Sequence, residues 1–240
     1  MISTLIILRY PKHFIPFALL AMALFRIPLS FNKKISFWKL LGSGRNGTFD
    51  KNPNWQQWGI LIVTKQEGIS QLPGQTEFNR MAYGTFITRW IRLFCRETWT
   101  VLLEPIEGHG LWDGKKVFGD LPARSGYEGP IAILTRATIR LSRLKDFWGQ
   151  VDGVAGQMAG AKGFIGSLGI GEIPFIKQAT FSIWESKEDM KNFAYQMKAH
   201  TDVIQRTRTE KWYSEDMFIR FKIAGSSGTI KGINPLERKS

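Results

Sequence analysis

Cysteine is nearly absent from this 240-residue chain, and histidine is scarce. The single cysteine, Cys95, excludes an internal disulfide and any zinc site built from several thiolates. Only three widely separated histidines are present, so a metal site made from protein side chains alone is not expected. No carboxylate pair and no serine–histidine–aspartate spacing indicates a hydrolase. The cysteine content is typical of a reducing compartment, which predicts a cytoplasmic location.

A continuous apolar run long enough to cross a bilayer is also missing. The longest run, FIPFALLAMALF at 14–25, has twelve residues, whereas a spanning helix needs about 20. Basic residues precede the run, but no small-x-small cleavage site follows it, which argues against a signal peptide. We interpret the run as a buried helix or as a helix that touches a membrane. Peripheral contact with the inner face of a membrane therefore accompanies the cytoplasmic prediction.

Acidic residues are few in comparison with basic ones. The chain has 33 Lys and Arg against 20 Asp and Glu, a formal net charge of +13. The basic residues are scattered, and no zinc-finger, RNP-like or P-loop pattern accompanies them, so a nucleic-acid partner is not predicted. Attraction to an anionic membrane or to an acidic ligand accounts for the charge equally well. Nine Trp and 17 Phe favour a large apolar core, a flat apolar ligand, or both.

The chain carries the signs of an internal duplication. The pattern G-S-x-x-x-G occurs at 42–47 and again at 166–171, 124 residues apart. Other segments repeat in the same order: LIILRY at 5–10 parallels IAILTRAT at 131–138, and WGILIVT at 58–64 parallels QATFSIW at 178–184. Each half predicts a strand, a helix, two strands, a helix and a strand, which is the ferredoxin-like order.

These elements predict an α+β fold made of tandem duplicated ferredoxin-like repeats in one chain, of the dimeric α/β-barrel type. The first repeat is assigned to 1–110 and the second to 129–228. A linker rich in glycine and proline occupies 111–128, and 229–240 forms a C-terminal tail.

One predicted helix, 187–207, carries the main candidate for chemistry. Ser186 is placed as its N-cap, with acidic residues in the first turn. An apolar stripe at three- and four-residue steps includes Met197 and, within it, His200. His200 is either a hydrogen-bonded core histidine or an axial ligand to haem iron, and the helix alone leaves both open. A thiolate ligand from Cys95 is the weaker alternative.

The second half resembles a known family at several motifs. The segments PIAILTRATI at 130–139, GIGEIP at 169–174, QATFSIW at 178–184 and WYSEDMF at 212–218 are similar to the spheroidene monooxygenase family. The pattern F-A-Y followed by His200 belongs to the same resemblance. In the first half, LGSG at 41–44 followed by Phe49, and GHGLWDG at 108–114, match more loosely.

The resemblance implies a haem b monooxygenase that inserts oxygen from O2 into an apolar substrate such as a carotenoid. Electrons would come from a ferredoxin-type donor, and His200 would bind the iron. Two alternatives remain on the same scaffold. One is a haem- or lipophile-binding protein without oxygenase activity, and the other is a different haem enzyme such as an aldoxime dehydratase-like protein.

Further side chains are candidates for the site that the resemblance implies. His109 is a distal acid, a gate or an alternative ligand, unless it is simply a turn residue. Arg136 binds a propionate or polarises iron-bound oxygen if its side of the strand faces the pocket, and Lys162 is a second propionate partner. Ser167 and Gln178 are candidates for steering bound O2. Four aromatic residues wall either the haem or an ordinary core: Trp148, Phe164, Phe181 and Phe193.

Overall fold

The structure is a computed structural model. It describes residues 1–45, 47, 51–65, 75–149, 158–196, 207 and 209–237, with the backbone alone for 75–82 and 195–196. Eight strands form a closed antiparallel barrel in the order β1-β3-β2-β6-β7-β5-β8-β4. The chain divides into two compact units. Unit 1 comprises 1–43, 54–104 and 223–240, and unit 2 comprises 44–53 and 105–222.

The centre of unit 1 is strand β1, Ile2–Arg9, which is almost completely buried. It pairs antiparallel with β3, Pro53–Thr64, and with the first part of β4, Glu97–Gly110. Strand β2, Ile35–Gly44, lies beyond β3. A strand that is flanked on both sides and covered on both faces reads as a continuous apolar run, which is why ISTLIILR hardly alternates.

Helices cover one face of the unit 1 sheet. A 3-10 turn at Lys12–Phe14 leads into α1, Ile15–Leu24, and α2, Arg26–Phe31. The helical segment α3, Gln75–Phe94, is kinked at the non-helical Gly84 and packs against them. Their shared core contains apolar side chains from the helices and from β1 and β3, among them Ile6, Leu8, Ala18, Ala21, Phe25, Leu29, Ile60, Ile62, Ile87 and Ile91.

The C-terminal residues belong to unit 1 and are fixed there by one carboxylate. Glu97, the first residue of β4, accepts hydrogen bonds from the hydroxyl of Thr229 and from the backbone N–H groups of Lys231 and Gly232. Arg9 pairs with the same carboxylate at 2.8 Å. Burial alone would raise the pKa of Glu97, but these hydrogen bonds outweigh it and lower the pKa.

In unit 2, strand β5, Ile131–Ile139, lies between β7, Lys177–Trp184, and β8, Tyr213–Gly228. Strand β6, Phe164–Ile173, pairs with β7 and has register shifts at both ends. A 3-10 turn at Leu141–Arg143 precedes α4, the helical residues 144–149, and α5 is Lys187–Gln196.

The predicted fold is confirmed in its coarser form, as an antiparallel barrel with few helices. The observed order of strands and helices in each half also matches the predicted one. That the halves are tandem ferredoxin-like repeats stays a prediction. The boundaries proposed for the two repeats also stay a prediction. In the compact units, the end of β8 belongs to unit 1 and the end of β4 belongs to unit 2.

A buried carboxylate, Glu107, joins four segments of unit 2. Its Oε2 accepts a hydrogen bond from the backbone N–H of Ser125 at 2.6 Å and lies 3.3 Å from Nζ of Lys187. Its Oε1 pairs with the guanidinium of Arg220. Burial would raise the pKa of Glu107, but the bonds from Ser125 and Arg220 outweigh it and lower the pKa to about 2. Strand β4, the 111–130 segment, α5 and β8 are therefore tied at one point.

We expect Glu107→Gln to lower the free energy of unfolding at pH 7 by about 3 kcal/mol, because it removes one half of a buried charge cluster. A lowered pKa in the folded state means that the contribution is present above the unfolded pKa of about 4.3 and is lost as the pH falls towards 2. The measurement is urea unfolding of both proteins at pH 7 and at pH 3. The deficit of the variant should shrink at the lower pH.

The matched control is Asp120→Asn, which removes an exposed carboxylate that pairs with Lys116 at the surface. This variant should unfold like the parent protein at both pH values. Equal stabilities of the Glu107→Gln variant and the parent at pH 7 would contradict the inference that Glu107 holds the four segments together.

Candidate functional site

The helix that begins after Ser186 is fixed at its first turn. The Ser186 hydroxyl accepts a hydrogen bond from the backbone N–H of Asp189 at 3.0 Å and donates one to the Asp189 carboxylate at 2.6 Å. The predicted N-cap is therefore confirmed. The described helix α5 ends at Gln196. Met197 and His200 lie outside the described residues, so the predicted axial ligand stays a prediction.

One face of β5 carries the apolar cluster against which α5 packs. The two-residue period of β5 places Ile131 and Ile133 on this face, and Ile131 pairs with Trp184 of β7. We call this group the α5 cluster: Ile131, Ile133, Trp184, Met190, Phe193 and Phe164. Phe164 and Phe193 each have their ring centroid 5.3 Å from that of Trp184. Two of the four predicted aromatic walls therefore meet here.

A second aromatic group lies at the other end of β5. The Trp148 cluster consists of Ile139, Phe147, Trp148 and Trp212, with Tyr213 packed against it. The Trp148 indole N–H donates a hydrogen bond to the carbonyl of Phe175 at 3.2 Å, and its ring stands 5.2 Å from that of Phe147 at an angle of 89°. Trp148, which was predicted to wall either the haem or an ordinary core, is thus held both by ring packing and by the hydrogen bond of its indole N–H.

Between these clusters the same sheet face is lined by small side chains. Thr135 pairs with Thr180, which in turn pairs with Gly169, and Ser167 pairs with Ser182. Thr135, Thr180 and Ser167 are half-buried, and the neighbours of Thr135 and Thr180 on the opposite face are buried. We call this surface the sheet trough, defined by Thr135, Ser167, Gly169, Thr180 and Ser182. The side chains of its floor are small and mostly polar, and an aromatic cluster lies at each end.

The two predicted site residues on β7, Gln178 and Phe181, lie on opposite faces of the sheet. Gln178 lies on the side of the sheet trough, where it pairs with Ala137, and its amide donates a hydrogen bond to the carbonyl of Ile173 at 3.1 Å. Phe181 lies on the opposite face, pairs with Leu134 and is fully buried. By the strand period Phe181 therefore lies away from the trough.

Arg136 is on the face of β5 opposite the trough and is 1% exposed. Its Nη2 lies 3.2 Å from Oε1 of Glu172 and 3.5 Å from Oδ1 of Asp113, and its Nη1 pairs with Glu215. The guanidinium also lies over the Trp112 ring, 5.2 Å from the centroid. Three carboxylates of the protein thus already surround Arg136. Its predicted role toward a propionate stays untested.

The three carboxylates around Arg136, here called the carboxylate cage, belong to a larger network of hydrogen bonds. Glu215 accepts hydrogen bonds from the backbone N–H groups of Asp113 and Gly114. Burial would raise the pKa of Glu215, but these bonds together with Arg136 lower it. The Trp112 indole N–H donates to Glu172 at 2.8 Å. The segment after β4 is therefore held to β6 and β8 both by these direct hydrogen bonds and by the buried guanidinium of Arg136.

His109 and Lys162 lie at the surface. His109 is exposed near the end of β4, with its ring 6.1 Å from that of Phe218. The glycines on either side of it, Gly108 and Gly110, have positive φ, and a Cβ on either would collide with the β8 backbone. These glycines let β4 approach β8 closely. Lys162 is exposed just before β6.

Cys95 belongs to unit 1 and is half-buried beside its core. Burial raises the pKa of the Cys95 thiol to about 12. A protonated thiol is a poor metal ligand, so this placement does not favour a thiolate site. Across the described ranges, no group of three or more His, Cys, Asp and Glu side chains is arranged to hold a metal ion.

Sequence reasoning missed Thr135 and Thr180 as site residues. Both are small, carry no distinctive chemistry and gain meaning only from the pairing of β5, β6 and β7. The alternation of QATFSIW, which places Thr180 and Ser182 on one face, was the available signal.

The chain is similar to curated proteins over nearly its whole length. Spheroidene monooxygenase from Rhodobacter capsulatus is 32% identical over 228 residues, which cover 94% of this chain and 90% of that protein. The chain belongs to the spheroidene monooxygenase family. The spheroidene monooxygenase from Rubrivivax gelatinosus is 33% identical and is covered over 72% of its length. The one from Cereibacter sphaeroides is 34% identical, and this chain spans 63% of its length.

The fold of this spheroidene monooxygenase family member is shared with solved structures of distant sequence. An aldoxime dehydratase is 10% identical with a TM-score of 0.55, over 92% of this chain and 80% of that one. A second aldoxime dehydratase, in complex with butyraldoxime, is 11% identical with a TM-score of 0.53, over 92% and 79%. No family model matches the chain.

We expect Arg136→Met to lower the free energy of unfolding by about 3–5 kcal/mol, because three carboxylates would lose their shared cation. Arg136 contributes to the lowered pKa of Glu215, so the deficit should narrow as the pH falls and this carboxylate becomes protonated. Urea unfolding at pH 7 and pH 4.5 measures both effects. Arg143→Met is the matched control, since Arg143 is half-exposed and pairs with Asp146 near the surface. Equal deficits in the two variants would contradict a special role for Arg136.

Proposed function

We propose that this chain is a haem b monooxygenase that inserts one oxygen atom from O2 into a carotenoid. The observation that carries the proposal is family membership over almost the entire chain, together with the names of the relatives. Electrons are proposed to come from a ferredoxin-type donor. A cytoplasmic protein in peripheral contact with a membrane suits a lipophilic substrate.

The sheet trough fits a flat apolar group. A macrocycle needs a floor without large side chains, and Thr135, Gly169 and Thr180 supply one. It also needs apolar edges, and the α5 cluster and the Trp148 cluster stand at the two ends of that floor. We propose the trough as the haem site. His200 would bind the iron, and Met197 is a further proposed cofactor-binding residue. Lys162, exposed before β6, is the proposed partner of a propionate.

When bound, the haem supplies the activation of O2, and the chain's own residues supply position and environment. Phe164 and Phe193 pack on Trp184 and exclude water from one end of the trough. Trp148 does the same at the other end. Ser167 offers a hydroxyl on the trough floor, whereas the Gln178 amide is already bonded to Ile173, so Ser167 is the better candidate for orienting bound oxygen. Exposed His109 suits a gate.

A second candidate function is a dehydratase acting on an aldoxime. The scaffold is compatible with this reaction, because two solved aldoxime dehydratase structures share the fold. Fold likeness at 10–11% identity carries no information on the reaction. The family relatives, at 32–34% identity, are therefore the stronger support for an oxygenase. A haem- or lipophile-binding protein without turnover is the remaining alternative.

The test of the cofactor proposal is the absorption spectrum of the purified protein supplied with haem. We expect a Soret band in the ferric protein, a shifted band in the reduced protein under CO, and loss or displacement of both in His200→Ala. His109→Ala is the control and should leave the spectrum unchanged. A parent protein without a Soret band would refute haem binding. An unaltered spectrum of His200→Ala would show that another residue binds the iron.

The reaction is tested separately with a carotenoid, 18O2 and a reduced ferredoxin. We expect one labelled oxygen atom in the product and no product when either O2 or the reductant is omitted. Turnover of an aldoxime without added electrons would support the dehydratase instead. Stable haem binding with no turnover of either substrate would support the binding protein.

The site itself is tested with two substitutions at Thr180 on the trough floor. Thr180→Leu should weaken haem binding at least tenfold because the larger side chain fills the trough, whereas Thr180→Ala should bind haem like the parent protein. If the trough were ordinary core, the leucine would instead overpack it and cost about 1–3 kcal/mol of unfolding free energy. A destabilised Thr180→Leu variant with unchanged haem binding would contradict the assignment.

A further inference from the structure

The first helix of unit 1 places its side chains in an unusual way. The buried residues of α1 are the small Ala18 and Ala21, while the larger Phe17, Leu19 and Leu20 are 37–47% exposed. A helix on a water-facing surface normally buries its large apolar side chains and exposes polar ones. Here the side that is turned away from the core is as apolar as the buried side.

The exposed apolar surface continues along α2 and α3. Ile27 is 59% exposed and Phe31 is 82% exposed. Stacked rings connect the helices, since the Phe17 ring lies 4.4 Å from that of Phe94 at an angle of 16°. On α3, Phe86 and Leu93 are also exposed. We call this surface the apolar face, defined by Phe17, Leu19, Leu20, Ile27, Phe31, Phe86 and Leu93.

Within the part of the chain whose side chains are described, the charged residues of α1, α2 and 83–94 are all basic. Residues 1–49 contain seven Lys and Arg but no Asp or Glu, and 83–96 contain three Arg and no acidic residue. The exposed members of this set next to the helices are Lys12, Arg26, Lys33, Lys34, Arg89, Arg92 and Arg96. An exposed apolar patch with a uniformly basic rim is complementary to a bilayer with anionic headgroups, because the lipid offers both a negative surface and apolar chains.

We propose that the apolar face docks unit 1 on an anionic bilayer, with α1 and α2 lying in the interface. The proposal does not depend on the proposed function, since neither haem nor turnover enters it. Trp55, at the start of β3, is 48% exposed, and the backbone of the next residue, Gln56, is hydrogen-bonded to Tyr10 beside the first helical turn. An exposed tryptophan in this place suits the headgroup region.

The helices lie on the membrane and do not cross it. The helical segment Lys12–Phe31 has 20 residues, so it is long and apolar enough to span a bilayer, unlike the twelve-residue run on which the sequence-based exclusion rested. Crossing would remove Phe25 and Leu29 from the unit 1 core, where both are 1% exposed. It would also place the charged side chain of Arg26 within the hydrocarbon.

The test is sedimentation of the full-length protein with sucrose-loaded vesicles. One set is phosphatidylcholine alone, and the other contains about one third phosphatidylglycerol. We expect binding to the anionic vesicles at low salt and weaker binding at high salt. Ile27→Ser combined with Phe31→Ser should reduce binding at least tenfold. Arg26, Lys33 and Lys34 changed to Gln should lose about fivefold for each charge.

The matched controls lie in unit 2. Leu141→Ser removes an equally exposed apolar side chain, and Lys145, Lys191 and Lys211 changed to Gln remove the same number of exposed charges. Both control proteins should bind like the parent, and thermal unfolding confirms that every variant is folded. Equal loss in the controls, or no binding to either vesicle by the parent, would overturn the proposal. Self-association through the face, seen by light scattering without vesicle binding, would also overturn it, as would parent protein that resists alkaline carbonate extraction from vesicles.

Discussion

The two-residue period of β5 is the constraint on which unit 2 depends. Because the strand is paired on both sides, its two faces are committed to different neighbours. One face supplies Ile131 and Ile133 to the α5 cluster and Thr135 to the sheet trough. The other supplies Arg136 to a cage of carboxylates. A slip of one residue would move Arg136 to the face of the sheet trough and put Thr135 or Ala137 among the carboxylates, so the register is strongly determined.

Much of the fold could be predicted from local pattern. The N-cap at Ser186, the alternation of β5 and the order of strands and helices rest on short-range rules, and all are observed. The surroundings of Arg136 could not be predicted, because Asp113, Glu172 and Glu215 come from distant parts of the sequence. Nothing in the strand pattern shows which charges a buried guanidinium will meet.

The candidate site was predicted in part. Phe164 and Phe193 were predicted to wall either the haem or an ordinary core, and both pack on a common tryptophan, which leaves that choice open. Phe181 was grouped with them by residue type, although the strand period places it on the opposite face from the trough. The trough floor was missed because threonine and glycine signal nothing until strands are paired. Shape made from small residues is the property least visible in a sequence.

The participation of the last residues in unit 1 has a consequence for the order of folding during synthesis. Asn234 accepts a hydrogen bond from the Trp99 indole at 3.1 Å, and Glu97 binds the backbone around Lys231. Unit 1 therefore lacks part of its own structure until the residues after 222 have been synthesised, by which point every segment of unit 2 has been made. The half of the protein that is synthesised first is the half that is completed last.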